Sequence, residues 1–234
     1  MNPKDRRVDL VFWQTVYQMQ TPAISASRSD SAASRLRADI LSGSAGPGTL
    51  LAESAVALRL GVSRVPVREA LFTLEREGFV EFSPTGRAFV KKLTPQDFEE
   101  LFVLRLTLEP LASRLAAPKL KGSASRLEKN LAATRRAKSV QEVTHLDLEF
   151  HQIILEASGN ARLLKLWRSL RGELELWLGR LHRSHQLQTQ ETLSETADAH
   201  AAIVNCFQTQ TPAACERLMR EHILGWREWL PLSS

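Results

Sequence analysis

The chain is short of the residues that mark an exported or membrane-embedded protein. It has two cysteines, Cys206 and Cys215. Two thiols make no disulfide framework, and neither belongs to a CxxC pair, so a reducing cytoplasm is the expected location. No apolar run approaches the roughly 20 residues that span a bilayer, which excludes a helical membrane protein. Residues 1–16 carry Lys4, Arg6 and Arg7, but their apolar stretch is broken by Asp9 and Gln14, so a signal peptide is not expected. Aromatics are only 6% of the residues, and the apolar positions are mostly Leu and Ala, which favours helices over sheets.

What is present is enough apolar material, 43% of 234 residues, to build one large or two modest domains. The net charge of +5 suits a polyanionic partner, and it is unevenly placed. Residues 31–92 hold nine Lys/Arg against six Asp/Glu, whereas residues 93–234 hold eighteen against seventeen. The smaller segment is the more basic per residue.

Residues 20–32 are rich in Ser, Ala and Thr and read as a flexible lead, with Met19 as an alternative start; residues 1–29 are set apart as an extension. Ala33, Leu36 and Ile40 recur at helical spacing and predict a helix over 30–41, stopped by the glycines at 43–48. A second helix is predicted over 53–60, closed by Gly61. A third opens at Ser63, a capping residue type, and turns Val67, Ala70, Leu71 and Leu74 inward before Gly78. Two short runs, 79–82 and 88–91, flank the turn cluster 83–87 and predict a hairpin. Three helices followed by a hairpin is the order of a winged helix-turn-helix, assigned to residues 30–92.

After Val90 no strand candidate of any strength remains. Thr94-Pro95 opens a helix in which Leu101, Leu104, Leu108, Leu111 and Leu115 alternate at three and four. Ser139-x-x-Glu142 is a capping box, Gly159-Asn160 ends that helix, and amphipathic stretches follow over 161–186, 194–208 and from Thr211-Pro212 to about Trp229. Residues 93–234 are therefore expected to form an all-helical bundle of about six helices. The fold class is mainly α with a small β wing.

In a helix-turn-helix the second helix enters the major groove with its first residues at the base edges. Here those are Ser63, Arg64, Val65, Pro66 and Arg68. Arg64 and Arg68 are four apart, on one face, and a planar guanidinium can bond guanine O6 and N7 together. The wing turn adds Thr85, Gly86 and Arg87. Spacing alone leaves open whether the two arginines are merely a solvated face. The strings Pro47-Gly48, Leu60-Gly-Val-Ser-Arg-Val-Pro-Val-Arg-Glu-Ala-Leu71, Leu74-Glu75 and Glu77-Gly-Phe-Val80, with Leu51 and Glu53, resemble the GntR family of bacterial regulators over roughly residues 30–92. The resemblance implies a homodimer on a short palindromic operator in double-stranded DNA, with Ser63, Arg64, Val65, Pro66, Arg68, Gly86 and Arg87 at the interface. Many relatives carry a basic residue where this chain has Ser54.

In the second part, Asp147 and His151 are four apart and share a helix face. His200 and His222 lie on two later helices. A carboxylate and three imidazoles converging in a bundle core suit a divalent transition metal, although a single His in an amphipathic helix is more often a surface or satisfied core group. His145 lies off the Asp147 face, and His182 and His185 are expected to be solvated near a helix end. Asp147-x-x-x-His151, Ser158-Gly-Asn160, His200 and Glu221-His222-Ile223 resemble the FadR-type C-terminal (FCD) domain over about 95–228. That resemblance implies zinc or nickel on Asp147, His151, His200 and His222, and a small carboxylate effector. Arg105 fits the family's R-x-x-x-E pattern; it could face the effector, or simply pair with Glu109. The combined expectation is a ligand-responsive repressor of a catabolic or transport operon. Two rivals are a metal-dependent hydrolase-like enzyme and a purely structural metal-stabilised dimer. There is no HExxH run and no Gly-rich phosphate loop to support the enzyme.

Overall fold

The computed structural model describes residues 28–229. Helix α1 (Arg28–Ser42) is followed by α2 (Glu53–Leu60), α3 (Arg64–Arg76) and strands β1 (Val80–Phe82) and β2 (Ala88–Val90). The strands pair antiparallel, with Val80 opposite Val90 and Phe82 opposite Ala88. The chain before α2 lies along β2, with Leu51 N–H donating to the Ala88 carbonyl at 2.8 Å. Val67, Ala70, Leu71 and Leu74 of α3 are all buried, as their spacing predicts, against Leu36 and Ile40 of α1. Gly61 closes α2 in the left-handed region at φ 67°, which a side chain would strain. The flexible lead expected over residues 20–32 ends earlier than its composition suggests, because α1 begins at Arg28. The extension before residue 28 and the alternative start at Met19 lie outside the described residues.

Six helices follow: α4 (Pro95–Leu120), α5 (Ser125–Thr134), α6 (Val140–Ser158), α7 (Ala161–Thr189), α8 (Thr192–Thr209) and α9 (Pro212–Gly225), then a 3-10 turn (Trp226–Trp229). Thr94 and Asp97 cap α4 reciprocally, and Ser139 accepts from the Glu142 N–H at α6. Two apolar clusters fill the bundle, one around Phe150 and Phe207, the other around Trp167, Leu174 and Leu178. Among the described residues no helix is long and apolar enough to cross a membrane.

The leucine ladder of α4 is only partly its buried face. Leu101 is buried, but Leu104, Leu111 and Leu115 are about 40% exposed, and the inward row carries Arg105, Glu109 and Ser113 among Phe98, Phe102 and several alanines. The reason is local: that row faces polar groups of α6, α7 and α9, described below. The hairpin end of the N-terminal unit rests on α7. A Cβ on Gly172 would collide with the Glu77 carbonyl, and one on Gly78 would come within 2.7 Å of the Glu173 side chain. Backbone thus meets backbone at this joint, and Lys91 pairs with Glu173 at 2.9 Å beside it.

Candidate functional site

Two sites emerge. At the first, α3 presents Ser63, Arg64, Val65 and Arg68 to solvent, with Pro66 half-buried. Ser63 holds the N-cap position with extended backbone, but its hydroxyl makes no capping bond. Gly86 turns the wing at φ 74°, and its N–H donates to the Ser83 carbonyl at 2.8 Å. A concavity of about 310 Å³ brings Arg64 and Arg68 together with Gly86 and Arg87, and with Glu53 and Ser54 at the start of α2. Helix α3 and the wing therefore border one surface, the arrangement that a helix-turn-helix on a duplex would need. Arg64 and Arg68 are not bare cations. Both donate to the carboxylate of Glu53.

At the second site, α6 supplies Asp147 and His151, α8 supplies His200, and α9 supplies His222. One ligand atom from each lies within 4.8 Å of the others. Donors around an ion at about 2.0–2.2 Å can be at most about twice that apart, so the four need draw in only slightly. Asp147, His151 and His200 are fully buried, and His222 is half-buried. His200 Nε2 sits 3.0 Å from Asp147 Oδ1, and the His200 ring stacks on Phe150. Both Asp147 oxygens and both ring nitrogens of His151 and His200 lack an aligned hydrogen-bond partner. Buried polar atoms without partners are costly, and a cation at the centre would satisfy one donor atom of each residue. The donor set therefore fits a borderline divalent metal.

The electrostatics favour ligation at two of the three histidines; at His151 burial opposes the charged ring, but Glu109 and Asp147 beside it raise its pKa. Burial pushes the pKa values of His200 and His222 down, so both offer neutral nitrogen lone pairs at neutral pH. Burial would raise the Asp147 carboxyl, but His151 and His200 beside it hold it well below the usual range. His151 is flanked on its other side. Its Nδ1 lies 2.7 Å from Glu109 Oε2, so a proton on Nδ1 leaves Nε2 to face the cluster. Glu109 in turn accepts from Trp167 Nε1 at 2.9 Å and from Arg105 Nε at 2.8 Å. Arg105 and Glu109 are 4% and 1% exposed. Burial opposes the charge on Glu109, yet Arg105 and His151 keep its carboxyl below the ordinary range.

Comparison with known proteins bears on both sites. The model for bacterial regulatory proteins of the gntR family matches residues 28–90, and the FCD domain model matches residues 100–225. The chain belongs to the GntR family of transcriptional regulators and carries an FCD domain. Like its relatives, this GntR protein is a DNA-binding regulator and not an enzyme. It is 28% identical to the HTH-type transcriptional repressor RspR of Escherichia coli (strain K12) over 192 residues, 80% of this chain and 82% of that protein. It is 26% identical to the gluconate operon transcriptional repressor of Bacillus licheniformis over 182 residues, covering 76% and 74% of the two chains. A transcriptional regulator of GntR type from Rhodococcus sp. RHA1 shares the fold with a TM-score of 0.71 at 23% identity, over 88% of this chain and 99% of that one.

Two histidines of the GntR chain depart from expectation. His182 and His185 are not solvated: they are 0% and 6% exposed. Helix α7 runs on to Thr189; it packs His182 against α6, and α8 folds back across its end over His185. Thr144 then meets His182 Nδ1 at 2.7 Å, and Thr192 meets His185 Nδ1 at 2.8 Å. Burial drives the His182 pKa down to about 4. His145 stays off the cluster and lies 3.3 Å from Glu175. Arg105 spends its guanidinium on Glu109. It also lines a cavity of about 10 Å³ among Phe98, Phe102, Trp177 and Trp226, room for no more than one water. The sequence offered Glu109 only as a helix-pair partner. The signal that it does more is a charged pair at i, i+4 inside an otherwise apolar row of α4.

Proposed function

We propose that this GntR regulator is a repressor that binds a palindromic operator as a homodimer and is released by a small effector. Its reading unit is assigned to residues 30–92 and its effector and dimerisation unit to residues 93–234, with a lead at 1–29. The observation that carries this reading is the shared exposed surface of Arg64, Arg68 and the wing residues Gly86 and Arg87. Ser63, Val65 and Pro66 complete the proposed interface, and the uncapped Ser63 hydroxyl suits a phosphate oxygen. Repression is favoured by two similar proteins, the gluconate operon repressor of Bacillus licheniformis and RspR of Escherichia coli, which are both repressors. The exposed leucines of α4 are the face that a second copy would cover, since contiguous exposed apolar patches mark partner surfaces.

Asp147, His151, His200 and His222 are the residues that would hold the metal, zinc or nickel by donor type. A divalent ion there would supply a Lewis-acidic anchor for an effector carboxylate. A cavity of about 310 Å³ lined by Glu195, Thr196, Glu221, His222 and Trp226 opens beside the half-buried ligand His222 and gives a small organic acid its approach. Contact between the effector and Arg105 would need the small aromatic cavity to widen and Glu109 to share the guanidinium. The regulated genes are then a catabolic or transport operon for such an acid.

Random duplexes selected on the purified protein should converge on one inverted repeat, and a small organic acid should release it. A pool that enriches no sequence would remove the repressor reading altogether. We expect Glu109 to act on the metal through His151, because outer partners of ligating histidines fix the tautomer and typically tune affinity by 10- to 100-fold. Glu109→Gln in an Arg105→Gln background leaves no buried charge unpaired. It should weaken metal binding by about that factor in competition with a chromophoric chelator. Unchanged affinity would exclude Glu109 from the site.

A further inference from the structure

We propose that Glu53 is a positioning residue of the DNA-reading surface, holding both reading guanidiniums in place and tying sequence discrimination to their release from it. The proposal rests on the DNA-reading role given above to Arg64 and Arg68. Glu53 is the first residue of α2, and its side chain is only 21% exposed, whereas those of Arg64 and Arg68 are 65% and 57% exposed. Arg68 grips it as a fork: Nε donates to Oε1 at 2.7 Å and Nη2 to Oε2 at 3.0 Å. Arg64 Nη2 donates to Oε2 at 3.1 Å. The hydrogen bond from Arg68 outweighs the modest burial and keeps the Glu53 carboxyl below its usual range, so it stays charged at neutral pH.

Two consequences follow from one carboxylate shared by two guanidiniums. The carboxylate cancels one of the two positive charges, which weakens the sequence-independent pull of phosphates. Finally, a base edge must compete with Glu53 for the forks. A guanine that offers O6 and N7 together can do so, whereas a pair that offers less leaves the arginines on the glutamate. Specificity built on such an internal competitor is a difference of affinities that penalises the wrong partner.

A plain structural role is the alternative, because an acidic residue in the first turn of a helix is stabilising by itself. That role would move thermal stability and nothing else. The test uses the full-length protein, its selected duplex and a scrambled duplex of equal length, titrated at several salt concentrations. Glu53→Gln should tighten binding to the scrambled duplex and steepen its log–log salt slope by about one. It should also reduce the preference for the selected duplex by roughly tenfold. Glu53→Asp keeps the charge but shortens the reach, so its salt slope should stay as in the parent while the preference still falls. A Glu53→Gln protein with parental slope and preference overturns the proposal, even if it melts earlier. A parent protein that does not prefer the selected duplex overturns the underlying DNA reading, a result distinct from the first.

Discussion

Alanine at Arg64 or Arg68 should weaken operator binding by about 1–3 kcal/mol, roughly 5- to 150-fold, and flatten the preference among bases at the position each one reads. The effect should be large because a bidentate contact to a base edge would be lost whole, and a point charge does not reproduce a fork. It should also be clean. Both side chains are more than half exposed and touch the rest of the protein chiefly through Glu53, so stability should shift by no more than about 0.5 kcal/mol. Binding to a scrambled duplex should fall less, since phosphate attraction draws on the whole basic surface. Anisotropy titrations on the two duplexes, with a melting curve for each variant, separate these effects. Parental operator affinity in both single variants would place the reading residues elsewhere on the surface.

The second large effect concerns the metal centre. The protein as isolated should carry one divalent ion, and stripping it should lower the melting temperature. Occupancy at 100 times the dissociation constant contributes about 2.7 kcal/mol, which corresponds to roughly 5–10 °C in a chain of this size. His200→Ala should remove the ion in elemental analysis. Its own melting point will fall for a second reason, because the ring packed on Phe150 is gone. The diagnostic is therefore the response to chelation, which should vanish in His200→Ala and persist in His145→Ala, whose imidazole lies off the cluster and mostly exposed. A stoichiometric ion in His200→Ala would show that the four donors are not the site.

The two halves of the chain differ in how far sequence reached. In α3 the buried positions are Val67, Ala70, Leu71 and Leu74, the same residues that helical spacing selects, because a small unit with one core has one way to bury a short helix. The hairpin was equally legible from its turn residues. In the bundle, spacing placed Asp147 and His151 on one face but said nothing about convergence with His200 and His222, which depends on how three helices cross. There the resemblance to the FCD domain carried the assignment. On α4 the leucine ladder marks the buried face only at Leu101 and, in part, Leu108; Leu104, Leu111 and Leu115 point outward. Helix α4 is amphipathic in two senses, with one face built for the polar groups around His151 and another left apolar and outward. His182 and His185 read as helix-end residues because the packing of α6 on the first and the fold-back of α8 over the second are tertiary facts that no local pattern records.

The contact between Gly172 and the end of α3 sets how the two units can communicate. Where side chains meet, a joint can absorb strain by changing rotamers; at Gly172 the Glu77 carbonyl lies against bare backbone, with nothing soft between them. Helix α7 carries that contact on one face and the buried His182 on its length. A tilt of this helix would press on the winged helix here, through backbone at Gly172 and through the Lys91–Glu173 pair beside it.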